Sequence, residues 1–87
     1  MSYVVQYAPE AAKALAGMDK AHARRIVAKI NELAEGPYSA ANVKTLKGAL
    51  KGLFRLRVGD YRVLYHVKDD ALLILVLEVG NRKDIYR

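Results

Sequence analysis

The chain has 87 residues, no cysteine and a formal net charge of +6. That length is one domain, residues 1–87, and the lack of cysteine excludes disulfides and thiolate metal sites. The opening MSYVVQYAPE lacks the basic and apolar regions of a signal peptide, and the longest apolar run, 71–77, is too short for a bilayer, so a soluble cytoplasmic protein with no membrane partner is expected.

In chain order, Tyr3 to Tyr7 reads as a β-branched and aromatic strand. Pro9 suits a helix start, and Ala11, Ala12, Leu15 and Met18 form a short helical stripe that weakens at Gly17. Asp19 is placed to cap a second helix, on which Ile26, Val27, Ile30, Leu33 and Ala34 recur at helical spacing until Gly36-Pro37 ends it. Residues 38–52, with Gly48 and Gly52, read as a connecting loop. From Leu53 the period becomes two: Leu53–Val58 and Tyr61–Val67 alternate around Gly59-Asp60, the signature of a tight hairpin. A turn at Lys68-Asp69-Asp70 leads to a strand from Leu72 to Val79, which Gly80-Asn81 should break. The expected fold is α+β: an N-terminal strand, a two-helix hairpin, then an antiparallel three-stranded meander, with the helices on one face of the sheet.

A two-residue turn at Gly59-Asp60 sets the hairpin register. Val58 then faces Tyr61, Arg57 faces Arg62, Leu56 faces Val63, Arg55 faces Leu64 and Phe54 faces Tyr65. Alternation sends Phe54, Leu56, Val58, Tyr61, Val63 and Tyr65 towards the helices and gathers Arg55, Arg57 and Arg62 on the other face. Two like charges directly opposite each other repel, by about 3 kcal/mol at roughly 6 Å and an effective dielectric of 20. No acid within the hairpin offsets this, since Asp60 lies in the turn. Three arginines held together in this way suit an external anion, and planar guanidiniums match phosphate oxygens. The same face carries Leu64, and the third strand can add Leu73, Leu75 and Leu77, which is more apolar surface than should lie bare.

The charge distribution points the same way. Residues 1–42 hold five Lys/Arg against four Asp/Glu, whereas residues 43–87 hold ten against five. Lys44, Lys47 and Lys51 lead into the arginines, and Lys83 follows them in the tail. By charge alone, a nucleic-acid partner and a plain basic surface stand equal. His22 reads as an exposed helix residue. His66 falls on the arginine face, although a single strand histidine is more often a bystander than a base. The two histidines lack metal-ligand spacing, Gly48 to Gly52 is not a phosphate-binding loop, and neither a Ser-His-Asp set nor paired carboxylates are present, so no metal or cofactor is expected.

The segments Leu46-Lys47-Gly48, Leu53 through Tyr65, Val79-Gly80-Asn81-Arg82 and Ile85-Tyr86 resemble the RelE/ParE toxin superfamily over nearly the whole chain. In the RelE branch the resemblance implies a ribosome-dependent endoribonuclease that cuts mRNA in the A site by metal-independent attack of the 2′-hydroxyl, and so stops translation. It implies a cognate antitoxin in a hetero-oligomeric complex, and contacts with mRNA and ribosomal RNA to which Lys44, Lys47, Lys51 and Lys83 would contribute. Arg55 and Arg57 match the two basic strand positions, often lysine in RelE proteins, and Arg62 matches the arginine after the aromatic. Arg82 matches the arginine after the last strand, and Tyr86 the C-terminal tyrosine. By resemblance Tyr86 is the base, and Arg82 the acid or the stabiliser of the leaving group. Arginine releases a proton only with great difficulty, which favours the stabilising role for Arg82. Arg62 and Arg82 are expected to lie off the core, so that replacing them leaves the fold intact. The alternatives are a ParE-like protein that inhibits gyrase by binding, and an RNA-binding module without chemistry.

Overall fold

A computed structural model describes residues 2–36, 43–45 (backbone only) and 52–81. β1 (Val4–Tyr7) is followed by α1 (Pro9–Gly17) and α2 (Lys20–Leu33), then by β2 (Val43–Thr45), β3 (Leu53–Val58), β4 (Tyr61–Lys68) and β5 (Leu73–Asn81). The strands form one sheet in the order β1-β5-β4-β3-β2. All neighbours are antiparallel except β1 and β5, which run parallel.

The expected α+β architecture is present, with differences at its edges. The segment read as a loop over 38–52 contains β2, which pairs with β3 through Val43↔Leu56, Lys44↔Arg55 and Thr45↔Phe54. Its three residues are too few for a period-two pattern to register. The N-terminal strand makes the sheet mixed. Its parallel place beside β5 is secured at both ends, where the Val4 N–H donates to the Leu72 carbonyl and the Ala8 N–H to the Val76 carbonyl, each at 2.8 Å. The Tyr3 hydroxyl adds a bond to Asp69 Oδ1 at 2.5 Å. Gly80-Asn81 does not end β5, because Gly80 pairs with Arg62 and Asn81 with Tyr61. The expected turn after Lys68 is a single 3₁₀ turn, Asp69–Ala71, closed by Leu72 in the left-handed region at φ 49°.

The helices begin as their sequences dictate. Pro9 occupies the first turn of α1, where its missing N–H costs nothing, and Glu10 favours the positive end of the helix. The Asp19 side chain accepts the Ala21 N–H at 3.1 Å, capping α2. α2 buries Ile26, Ile30 and Leu33, one stripe over about two turns. These residues and Ala11 of α1 close over Phe54, Leu56 and Val58 of β3, Val63, Tyr65 and Val67 of β4, and Ile74, Val76 and Val79 of β5. Phe54 and Tyr65, directly opposite each other, stack with ring centroids 5.6 Å apart. The exposed pair Lys29–Glu32 at 3.7 Å adds little. Among the described residues no helix is long and apolar enough to cross a membrane.

β5 keeps its inward residues inward only by means of an irregularity. Leu64 pairs with Glu78, but the next residue, Tyr65, pairs with Val76. Leu77 and Glu78 together answer Leu64, a β-bulge. Strict alternation from Ile74 and Val76 would carry Glu78 into the core and Val79 out of it. The extra residue reverses that parity, so Val79 is buried and Glu78 exposed.

Ile30 is fully buried. Ile30→Ala should cost about 2–5 kcal/mol, and Asp19→Ala about 1 kcal/mol. Urea unfolding of the two variants checks the ranking.

Candidate nucleic-acid interface

The site is built on the β3–β4 hairpin. Gly59 at φ 59° is the only residue of its turn with positive φ, as a type II′ turn requires at its first central position. A two-residue loop of that kind leaves one register, and the observed pairs are Val58↔Tyr61, Arg57↔Arg62, Leu56↔Val63, Arg55↔Leu64 and Phe54↔Tyr65. The face opposite the helices therefore carries Arg55, Arg57 and Arg62, with the last two directly across from each other. Lys44 is the register partner of Arg55 on β2. Lys47, Lys51, Arg82, Lys83 and Tyr86 lie outside the described residues.

The three arginines are not equivalent. Arg57 is exposed, Arg55 is half-buried, and Arg62 retains only 9% of its surface. The expectation that Arg62 stands clear of the folded interior needs correction. It lies in the middle strand of the sheet, flanked by Arg57 and Gly80, and its Nη1 donates to the Tyr61 carbonyl at 3.3 Å. Gly80 places no side chain beside it, which leaves room for the stem to lie flat on the sheet. Arg62 is thus buried with a hydrogen bond from its guanidinium, while Arg57 is exposed.

The rest of the face is mixed in character. Leu64, Leu73, Leu75 and Leu77 are each half-buried rather than bare. His66 sits between Leu53 and Leu75. Its imidazole is held against Gly52, where an added Cβ would fall 3.0 Å from Nε2 at a φ of +77°. The position of His66 thus depends on a glycine in the segment before β3. Glu78 was not legible as part of this face, since alternation assigns it to the core and only the bulge re-aims it.

A second feature lies at the tip of the hairpin on the helix side. A cavity of about 140 Å³ is lined by His22, Arg25, Ile26, Val58, Gly59, Asp60 and Tyr61. The Arg25 guanidinium lies over the turn, 3.5 Å from where a Gly59 Cβ would be. His22 is exposed, as expected, but its ring also packs on Tyr61 with centroids 5.4 Å apart. Helical spacing alone carries no signal that α2 reaches this turn. Among the described residues no three His, Asp or Glu converge as metal ligands.

The fold is thus that of a small α+β protein with helices on one side of the sheet and an arginine cluster on the other. A family model described as ParE toxin of type II toxin-antitoxin system, parDE, matches residues 5–86, and the chain belongs to that family, within the RelE/ParE superfamily. Toxin RelG of Mycobacterium tuberculosis is 39% identical over 66 residues, covering 72% of this chain and 76% of RelG. A putative RelE-like toxin protein of Escherichia coli is 30% identical over 89 aligned positions, covering 99% of this chain and 92% of that protein. Among solved structures, a chain of the archaeal RelE–RelB complex from Pyrococcus horikoshii OT3 matches with a TM-score of 0.81 at 34% identity, over 94% of this chain and 97% of that one.

The graded burial predicts graded stability effects. Arg57→Ala should change unfolding free energy by less than about 0.5 kcal/mol, whereas Arg62→Ala should lower it by about 1–3 kcal/mol while leaving a folded protein. Thermal and urea melts of the pair check this.

Proposed function

We propose that this protein is the toxin of a type II toxin–antitoxin pair and acts as a ribosome-dependent endoribonuclease on mRNA. The observation that carries this reading is the Arg57–Arg62 pair, held directly opposite on a rigid hairpin with Arg55 on the same face. A protein that needed only a solvated sheet face would gain nothing from that repulsion. An RNA phosphate, with oxygens for several guanidiniums, turns it into attraction.

In this reading the 2′-hydroxyl of the nucleotide attacks its own 3′-phosphate in line, and the 5′-oxygen of the next nucleotide departs. Arg55, Arg57 and Arg62 hold the phosphate and the charge that builds on it. Lys44, Lys47, Lys51 and Lys83 add contacts to RNA. By resemblance, Arg82 would stabilise the charge on the leaving oxygen and Tyr86 would serve as a proton-transfer group. A phenol with a reference pKa near 10 is a weak base at neutral pH. Weak proton chemistry suits an enzyme whose substrate is oriented for it by the ribosome. The ParE name of the matching family model favours one rival, inhibition of gyrase by binding alone.

Purified protein mixed with translating ribosomes should cut mRNA at positions mapped to the A site and cut naked RNA poorly. Arg57→Ala and Arg62→Ala should each slow cleavage by about 10²-fold or more while remaining folded. Inhibited supercoiling with intact mRNA would decide for the gyrase alternative.

The matched Pyrococcus horikoshii structure is a RelE–RelB complex. We infer that this chain likewise has a cognate antitoxin. Beside the cationic groups, the half-buried Leu64, Leu73, Leu75 and Leu77 favour a segment rich in Asp/Glu and Leu, docked as an amphipathic helix or an added strand. Charge would speed the encounter and apolar anchors would set the residence time. Hydrogen exchange should show antitoxin-dependent protection within residues 53–77 or 80–87. Protection confined to the helix surface around Arg24 and Lys29 would rule out this mode of binding.

A further inference from the structure

We propose that Glu78 is the catalytic carboxylate of this site, taking the proton from the attacking 2′-hydroxyl. This rests on the reading of the arginine face as an RNA-cleaving site, and it gives Glu78 the step that the family resemblance leaves to Tyr86. The five strands contain one acidic residue, Glu78. The bulge puts it across from Leu64 on β5, while Arg55 is across from Leu64 on β3. Arg62 stands two residues from Leu64 along β4, on the same face, and its own β5 partner is Gly80, two residues from Glu78. Leu64 is therefore an apolar floor with a guanidinium on one side, a second guanidinium at one end and a carboxylate on the other side.

The spacing suits a phosphodiester. Arg55 and Glu78 are two strand intervals apart, roughly 10 Å between backbones. At that separation the two long side chains can converge on one phosphodiester lying over Leu64. Diagonal neighbours such as Arg62 and Glu78 lie about 7–8 Å apart, within reach of long side chains meeting a common ligand. No ion pair joins Glu78 to another described residue, and its side chain is exposed. The carboxylate is thus open to an incoming hydroxyl despite the cations around it. His66, two residues from Leu64 in the other direction, faces the same floor.

The bulge is the second observation. A glutamate following Leu77 in regular alternation would be driven among Ile74 and Val76, where an unpaired carboxylate is costly to bury. One inserted residue both spares the core and delivers the acid to the arginine face, and bulges commonly re-aim side chains beside active sites. The chemistry is balanced. The 2′-O–H bond breaks with its proton passing to the Glu78 carboxylate, and the 2′-oxygen bonds to phosphorus. The bond from phosphorus to the 5′-oxygen breaks, and that oxygen leaves with the electron pair and takes a proton from water, giving a 2′,3′-cyclic phosphate and a 5′-hydroxyl. A carboxylate is a proton acceptor suited to this step, which a guanidinium is not.

The experiment is single-turnover cleavage of mRNA on programmed ribosomes at increasing toxin concentration. Glu78→Gln, nearly isosteric, should lower the maximal rate by about 10²-fold or more, with half-saturation and melting temperature unchanged. Glu78→Asp should recover part of the rate. Should the glutamine variant fold poorly, Glu78→Ala at this exposed position reads the same loss. A maximal rate within threefold of the parent, or a change in half-saturation alone, overturns the proposal while Arg57→Ala and Arg62→Ala still report on the function itself. If the unaltered protein leaves ribosome-bound mRNA intact, the functional reading falls and this assignment falls with it.

Discussion

The register of the β3–β4 hairpin controls most of what this molecule presents. A side-chain period of two means that a slip of one residue would turn every side chain of a strand to the opposite face. Phe54, Leu56 and Val58 would then meet solvent, and Arg55 and Arg57 would meet Ile26 and Ile30. The two-residue turn prevents this, because Gly59 takes a positive φ that leaves Val58 and Tyr61 as the only closing pair. The hydrophobic pattern and the turn demand the same register, and the stacking of Phe54 on Tyr65 reinforces it. The same register obliges Arg57 and Arg62 to face each other. The apolar side of the hairpin supplies the free energy that holds the cationic side together.

That coupling explains the uneven treatment of the arginines. Arg62 lies in the central strand of a five-stranded sheet and is buried. Arg57, at the turn end of β3, has its head in water. In the proposed reading, one buried and one exposed guanidinium would meet the RNA phosphate.

The bulge at Leu77-Glu78 is the other device on which the face depends. β5 must serve β1 on one side and β4 on the other while keeping Ile74, Val76 and Val79 in the core. Those three residues are not in a single period-two phase, so a regular strand cannot bury all of them. The irregularity reconciles the phase, and its by-product is an acid beside the arginines. Core packing and the charge pattern of this face are thus linked through one residue of backbone.

The sequence by itself determined the local features. Pro9 and Asp19 mark the helix starts, the apolar stripe of α2 identifies its buried side, and Gly59-Asp60 with its flanking alternation specifies the hairpin down to the facing of Arg57 and Arg62. These follow from interactions between residues close in the chain, where turn chemistry and periodicity suffice. The resemblance in the block from Leu53 to Tyr65 and around Arg82 pointed to the superfamily before any fold was known. The tertiary structure alone decided what depends on distant partners. β1 lies parallel to β5 because its N–H groups meet carbonyls of Leu72 and Val76, far along the chain. Val43–Thr45 becomes a strand because β3 offers an edge to pair with. Arg62 is buried on the face opposite the helices, and Glu78 faces outward because β4 and the core together impose a bulge. Each of these depends on which strands become neighbours, and no local pattern of residues encodes that choice.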